Sequence, residues 1–237
     1  MRREIVAGAD TAGLLVPPPA CILWDWDNTL VDGWAAIQHG LNATFREFAM
    51  PEWDRAMVLG RVRGSLRDTF PAMFGAGWER ARDIFYAAVR GCHLDVLSPM
   101  PGAAAAIAAA AALAPQGVIS NKQGALLRAE AAHLGWDRHF AALVGAGDAA
   151  ADKPDPAPFA LALGACGVAP GPRVWYVGDT ALDMQAARAA GCRAVLLGDA
   201  AHDGGIAHAA PDARFADGHA LAAALASLAR TPAALET

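Results

Sequence analysis

Short, wholly apolar runs recur along the chain at Cys21 to Trp24, Gly117 to Ile119, Ala142 to Val144, Val174 to Val177 and Ala194 to Leu197, with alanine-rich stretches between them. Runs of this length without polar alternation predict strands buried on both faces, and their alternation with helices predicts βαβ units around a mostly parallel sheet. Residues 33–100 break that rhythm. Trp34, Ile37, Leu41, Phe45 and Phe48 fall at helical spacing, as do apolar positions from Trp78 to Val89, and no comparable strand lies among them. The pattern predicts an all-helical insertion between the first strand and the rest of the sheet. Its expected limits are a turn at Asp32-Gly33 and the linker Ser98-Pro99-Met100-Pro101-Gly102. The alanine block from Ala103 stops at Pro115, as an ordinary helix would. The layout is an α/β core over residues 17–32 and 101–230 with helices on both faces of the sheet, a helical insertion over 33–100, and loosely held ends at 1–16 and 231–237.

Composition narrows the class. With 237 residues, 55% of them hydrophobic and 18% charged, the chain can bury a sizeable core. A net charge of −5 supplies no broad basic surface, which argues against nucleic acid as a partner. Cys21, Cys92, Cys166 and Cys192 form no C-x-x-C pair and read as reduced thiols of a cytoplasmic protein. The longest apolar run, Ala103 to Ala114, falls short of the ~20 residues a membrane span needs, so no membrane partner is expected. The first residues are basic, but Asp10 and three prolines interrupt the stretch from Ala7 to Ala20, so no signal-peptide pattern is present.

Four segments carry candidate chemistry, each at a predicted strand exit. In Ile22-Leu23-Trp24-Asp25-Trp26-Asp27-Asn28-Thr29 two carboxylates interrupt the end of a buried strand, a costly position without a compensating cation. Ligands of open α/β sheets bind beyond the carboxyl ends of strands, so Asp25 and Asp27 are expected to face the crevice, and Asn28 suits a left-handed exit turn. Ser120-Asn121-Lys122 adds a hydroxyl and backbone donors at the same edge, although a serine and asparagine there also suit a turn or helix cap. Asp152-Lys153-Pro154 holds one of only two lysines in a chain that otherwise uses arginine, and a compact ammonium suits a phosphoryl oxygen beside a carboxylate. Gly178-Asp179-x-x-x-Asp183 places two more acids after a buried strand, with Gly178 permitting close approach. Hard oxygen ligands of this kind suit Mg²⁺.

Taken in order, Asp25-x-Asp27-x-Thr29, Ser120, Lys153 and Gly178-Asp179-x-x-x-Asp183 resemble the haloacid dehalogenase superfamily of phosphatases and phosphomutases. The resemblance spans about residues 20 to 230. It implies a Rossmann-like core with a helical cap domain over 33–100, and Ser120-Asn121-Lys122 with the Lys153 loop looks most like the phosphoglycolate phosphatase branch. It further implies Asp25 as nucleophile, forming an aspartyl-phosphate, and Asp27 as acid for the leaving alkoxide and then base for water. By the same resemblance Asp25, the backbone carbonyl of Asp27, and Asp179 hold Mg²⁺, with Asp183 a direct or water-mediated support. Ser120, the Asn121 amide and Lys153 bind the transferring phosphoryl group. The implied substrate is a small phosphomonoester, phosphoglycolate favoured, and the implied enzyme a cytoplasmic, magnesium-dependent phosphatase.

The motifs leave alternatives. A sugar phosphomutase shares the core, and a catalytically silent binding protein would retain the fold. Asp27 argues against a dehalogenase, whose halide leaving group needs no acid, and the insertion lacks the lysine that phosphonate hydrolysis uses. Gly145-Ala146-Gly147-Asp148 resembles a dinucleotide fingerprint only superficially, because Asp148 would repel a pyrophosphate. In the insertion, Arg61 and Arg63 are candidates to read an acidic group on the substrate, against the plainer reading of a solvated helix start. The seven histidines are scattered over expected helices and loops and read as surface or partner-bonded residues.

Overall fold

The computed structural model describes residues 18–62 and 66–230. Six parallel strands form the central sheet: β1 (Cys21–Trp24), β4 (Gln116–Gln123), β5 (Ala142–Ala146), β6 (Val174–Gly178), β7 (Arg193–Leu197) and β8 (Ala213–Phe215), in the spatial order β5-β4-β1-β6-β7-β8. The chain leaves β1 toward β4 and β5, then crosses back to add β6 on the other side of β1. The strand order therefore reverses beside β1, where open α/β sheets form a ligand crevice at their carboxyl edge. Five strands match the apolar runs. The edge strand β8 does not, because its three residues include Arg214 and carry no apolar run of their own.

Alternation along β1 sorts its side chains to two cores. Ile22 and Trp24 face one side with helices α5 (Ala103–Ala111), α6 (Gly124–His133) and α10 (Gly218–Arg230). Cys21 and Leu23 face the other with α7 (Ala157–Cys166), α8 (Ala181–Ala189) and α9 (Gly205–Ala209). Burial on both faces accounts for the continuous apolar runs.

Between the first strand and the alanine helix the chain forms α1 (Trp34–Glu47), α2 (Arg55–Arg61), α3 (Leu66–Phe74) and α4 (Trp78–Cys92). Leu41, Phe45, Val58, Phe70, Phe85 and Val89 make a third apolar cluster there, which α6 joins through Leu126. The two segments expected as a turn and a linker instead pair with each other: β2 (Val31–Asp32) and β3 (Ser98–Pro99) form a two-stranded antiparallel ribbon at the root of the helices. Two residues on each side leave no periodicity for a sequence pattern to show. The expected loose ends and Arg63 lie outside the described residues. Among those described, no helix is long and apolar enough to cross a membrane.

Candidate active site

Asp25 is the first residue beyond β1, and its N–H still donates to the Val177 carbonyl at 2.8 Å, so the strand's register fixes where its side chain starts. The chain then turns at once. Leu30 and Val31 donate back to the Trp26 carbonyl at 2.9 and 3.1 Å, and Asn28 takes the left-handed conformation (φ 65°) that its short polar side chain tolerates. This turn aims Asp25 and Asp27 at different cations. A Cβ on Gly33 would overlap the Asp27 carboxyl, so the glycine leaves that group its space.

Asp25, Asp27, Ser120, Asn121, Lys153, Asp179 and Asp183 line one cavity of about 720 Å³ at the carboxyl edge of the sheet. The four chain-distant segments meet. Lys153 lies at the centre, with its Nζ 2.6 Å from Asp25 Oδ1, 2.8 Å from Asp183 Oδ1 and 2.7 Å from the Tyr176 hydroxyl. Its loop is clasped to the end of β4 by Asn121, whose Oδ1 accepts from the Lys153 N–H at 3.0 Å and whose Nδ2 donates to the Lys153 carbonyl at 3.1 Å. The Asn121 side chain thus holds the lysine loop. Ser120 is buried beside it, its Oγ accepting from the Lys122 N–H at 3.2 Å.

Asp183 is held on both oxygens. Oδ2 accepts from the Thr180 N–H at 3.1 Å and from the Thr180 hydroxyl at 2.6 Å in a capping box that opens α8, while Oδ1 meets Lys153. A Cβ on Gly178 would overlap the Asp183 side chain, so only glycine lets α8 start this close to β6. Asp179 takes the Thr29 hydroxyl on Oδ1 at 3.1 Å, and His202 Nε2 lies 3.4 Å from its Oδ2.

Burial and charge divide these acids. Burial pushes the Asp25 carboxyl up to about 7, with Lys153 opposing and Asp183 reinforcing the rise. Asp179 is raised well above the usual carboxylate range by burial and then by the charges of Asp183 and Asp25. For Asp183 burial acts upward too, yet Lys153 and the Thr180 hydrogen bonds prevail and hold it below its ordinary value. Lys153 is therefore shared between Asp25 and Asp183, and the three acids Asp25, Asp179 and Asp183 outnumber the one lysine among them. Asp25, Asp179 and Asp183 each present an oxygen within 4.8 Å of the others, all three residues being buried. Hard oxygen donors, more carboxylates than the one lysine can balance and a shared centre fit a divalent cation such as Mg²⁺. Each oxygen of Asp183 already accepts two hydrogen bonds, from Lys153 and Tyr176 and from the Thr180 N–H and hydroxyl, so Asp25 and Asp179 have more lone pairs to offer it, with Asp183 as support. The carboxyl of Asp27 stands outside this cluster.

Asp27 faces Lys122 instead, with Nζ 2.7 Å from Oδ1, and Lys122 also meets Glu130 Oε2 at 2.6 Å. The only two lysines of the chain thus each neutralise one of the paired aspartates. Burial raises the Asp27 carboxyl and the Glu130 charge adds to the rise, against Lys122. Lysine scarcity marks both residues, although sequence reasoning assigned a task only to Lys153. Thr29, part of the motif, holds Asp179, and Tyr176 also holds the site, a residue the motifs do not mark. The one available signal was a phenol inside an apolar strand, since a buried tyrosine hydroxyl needs a partner.

The insertion covers the cavity with Trp34, Ile37, Val62, Leu66, Phe85 and Val89. Arg61 is not brought to it. Its guanidinium stacks over the Trp53 ring at 5.1 Å, and the side chain is exposed. Asp148 accepts from the Gly145 N–H at 2.9 Å and pairs with Arg128 at 2.6 Å, so the glycine-rich segment at the end of β5 runs into a braced turn.

Residues 22–197 match the model of the haloacid dehalogenase-like hydrolase family. A phosphoglycolate phosphatase of Rhodospirillum rubrum is 32% identical over 194 residues, covering 76% of this chain and 79% of that protein. A phosphoglycolate phosphatase of Chromobacterium violaceum is 29% identical over 187 residues, covering 75% and 84%. Among solved structures, a haloacid dehalogenase-like family hydrolase from Streptococcus pneumoniae superposes with a TM-score of 0.73 at 21% identity, covering 83% of this chain and 93% of that one. That last likeness concerns the fold.

Proposed function

The chain belongs to the haloacid dehalogenase-like hydrolase family, and within it we propose a cytoplasmic, magnesium-dependent phosphatase that hydrolyses a small phosphomonoester through an aspartyl-phosphate. The observation that carries this reading is the single cavity lined by Asp25, Asp27, Ser120, Lys153 and Asp179, which come from four separate segments of the chain. Phosphoglycolate is the leading substrate, since curated relatives along most of the chain are phosphoglycolate phosphatases.

Asp25 is the nucleophile: its free carboxylate oxygen bonds to phosphorus as the bond from phosphorus to the leaving oxygen breaks. Asp27 donates a proton to the departing alkoxide. It then takes a proton from water, which attacks the acyl phosphate, releases inorganic phosphate and restores Asp25. Lys153 neutralises charge on the transferring group, for which one of its three present contacts must yield, and the Ser120 hydroxyl and Asn121 backbone N–H donate to the same oxygens. Mg²⁺ held by Asp25 and Asp179 supplies charge neutralisation for phosphoryl oxygens and lets both carboxylates stay ionised at neutral pH. Residues 33–100, entered and left through the β2–β3 ribbon, act as the cap that closes over the leaving group and excludes bulk water.

Phosphate release from a panel of phosphorylated metabolites, with and without Mg²⁺, tests this reading. Turnover of at least one small phosphomonoester, lost with the metal, is the expected outcome. Metal-independent turnover, or none across the panel, would overturn it.

A further inference from the structure

Glu130 lies in the middle of α6 at 1% exposure, and the proposed reaction gives it no task. Three elements converge on its carboxylate. Trp26 Nε1 donates to Oε2 at 2.7 Å from the turn after β1, Lys122 Nζ donates to the same oxygen at 2.6 Å from the end of β4, and His93 Nδ1 meets Oε1 at 2.8 Å from the C-terminus of α4. Beyond Glu130, Lys122 Nζ lies 2.7 Å from Asp27 Oδ1, so the same ammonium bridges the two carboxylates. The chain of contacts runs from the last turn of the insertion to the paired aspartate in four side chains.

A buried ion pair seldom adds net stability over apolar packing, so stability is a weak reason for this network. Position is a better one. Lysine carries its charge on a flexible four-carbon stem, and an unanchored ammonium would sample several placements around Asp27. We propose that Glu130, itself held by His93 and Trp26, is a positioning residue for proton transfer: it anchors Lys122 against Asp27 and so keeps that carboxyl aligned with the leaving-group oxygen. The inference rests on Asp27 being the acid and base of the proposed reaction. Because His93 ends α4, the alignment also depends on where the insertion sits.

Leaving-group dependence tests it. An alkyl phosphate needs its departing oxygen protonated, whereas the phenolate of 4-nitrophenyl phosphate departs unaided. Glu130→Gln is expected to lower kcat/KM for an alkyl phosphate by about tenfold or more while changing that for 4-nitrophenyl phosphate by less than about threefold. In an Asp27→Asn background the same substitution should cost less than about twofold, since the group it positions is gone. His93→Gln removes only the partner of Oε1 and should show the same bias at smaller amplitude, so it carries the test if Glu130→Gln does not fold. Equal losses on both esters, or an undiminished loss in the Asp27→Asn background, would overturn the proposal. If Asp27→Asn itself affects both esters equally, the acid assignment fails and the positioning role falls with it. If Asp27→Asn is leaving-group dependent and neither Glu130→Gln nor His93→Gln is, only the positioning role fails.

Discussion

The floor of the cavity and its roof are built by opposite rules. On the floor, side chains from four strand exits carry charge, and nearly every polar atom has a named partner: Lys153 spends three donors on Asp25, Asp183 and Tyr176, and Asp183 accepts on both oxygens. On the roof, Trp34, Ile37, Val62, Phe85 and Val89 present apolar surface with few directional demands. In the proposed reaction such a difference separates chemistry from selectivity. Charged groups in a buried site must be held to a fraction of an ångström, so the sheet and its capped helices fix them. Apolar walls tolerate exchange of volume and can be altered for another leaving group without disturbing the floor.

The sharpest way to break that division is to neutralise the floor one group at a time. Asp25→Asn removes the proposed nucleophile while keeping shape, and steady-state phosphate release should drop by at least ~10³-fold. Residual activity within tenfold of the parent would mean that the bond to phosphorus forms elsewhere. Lys153→Met is expected to lower kcat by about 10²-fold through lost charge stabilisation. It also leaves Asp25 and Asp183 buried without their cation, a destabilisation of about 3–5 kcal/mol that thermal or urea unfolding would read. A Lys153→Met protein that is both active and fully stable would show that the lysine is incidental to the floor.

Cation removal is the next smaller perturbation, and pH sets its sign. The Asp25 carboxyl rises from an ordinary 3.8 to about 7 in the folded chain, and Asp179 shifts the same way. Between those values the unfolded chain gives up the proton first, so the cation-free protein should lose stability as pH rises through the window. Asp183, shifted downward, contributes stability that disappears only at more acid pH. Without divalent metal, Tm is therefore expected to fall by several degrees from about pH 5 to about pH 7.5, and Mg²⁺ should raise it more at the upper pH. A Tm that stays flat across this range and ignores Mg²⁺ would remove the case for a cation between Asp25 and Asp179.

Legibility in the sequence divides along the same line as the cavity. Asp25, Asp27 and Asp179 stand out because a charge at the end of an apolar strand is anomalous, Lys153 because lysine is rare in this chain, and their convergence comes from strands that share one carboxyl edge. Helix periodicity likewise announced α1 and α4. What escaped was whatever depends on a partner far along the chain. Tyr176 reads as one more apolar strand residue until Lys153 arrives at its hydroxyl, and Glu130 reads as a surface helix acid until Trp26, His93 and Lys122 enclose it. The β2–β3 ribbon escaped for a different reason: two residues a side carry no period. Arg61 shows the reverse error of inference. Its charge drew attention, but stacking on Trp53 satisfies it outside the cavity.

The mildest perturbation is on the roof. Ile37 lines the cavity from α1 and is only partly buried in the insertion's apolar cluster, so Ile37→Ala should cost little stability. If the leaving group lies against this wall, the lost contact is felt in binding rather than in bond breaking. KM for a phosphomonoester with a bulky apolar leaving group should rise by about three- to tenfold with kcat nearly unchanged, because uniform binding is what has been removed. A two-carbon leaving group such as that of phosphoglycolate extends less far toward the wall and should respond more weakly. Equal responses from both substrates would mean that the roof acts only by closing. A loss confined to kcat would mean that it also sets the geometry of the floor, and the separation of the two halves would fail.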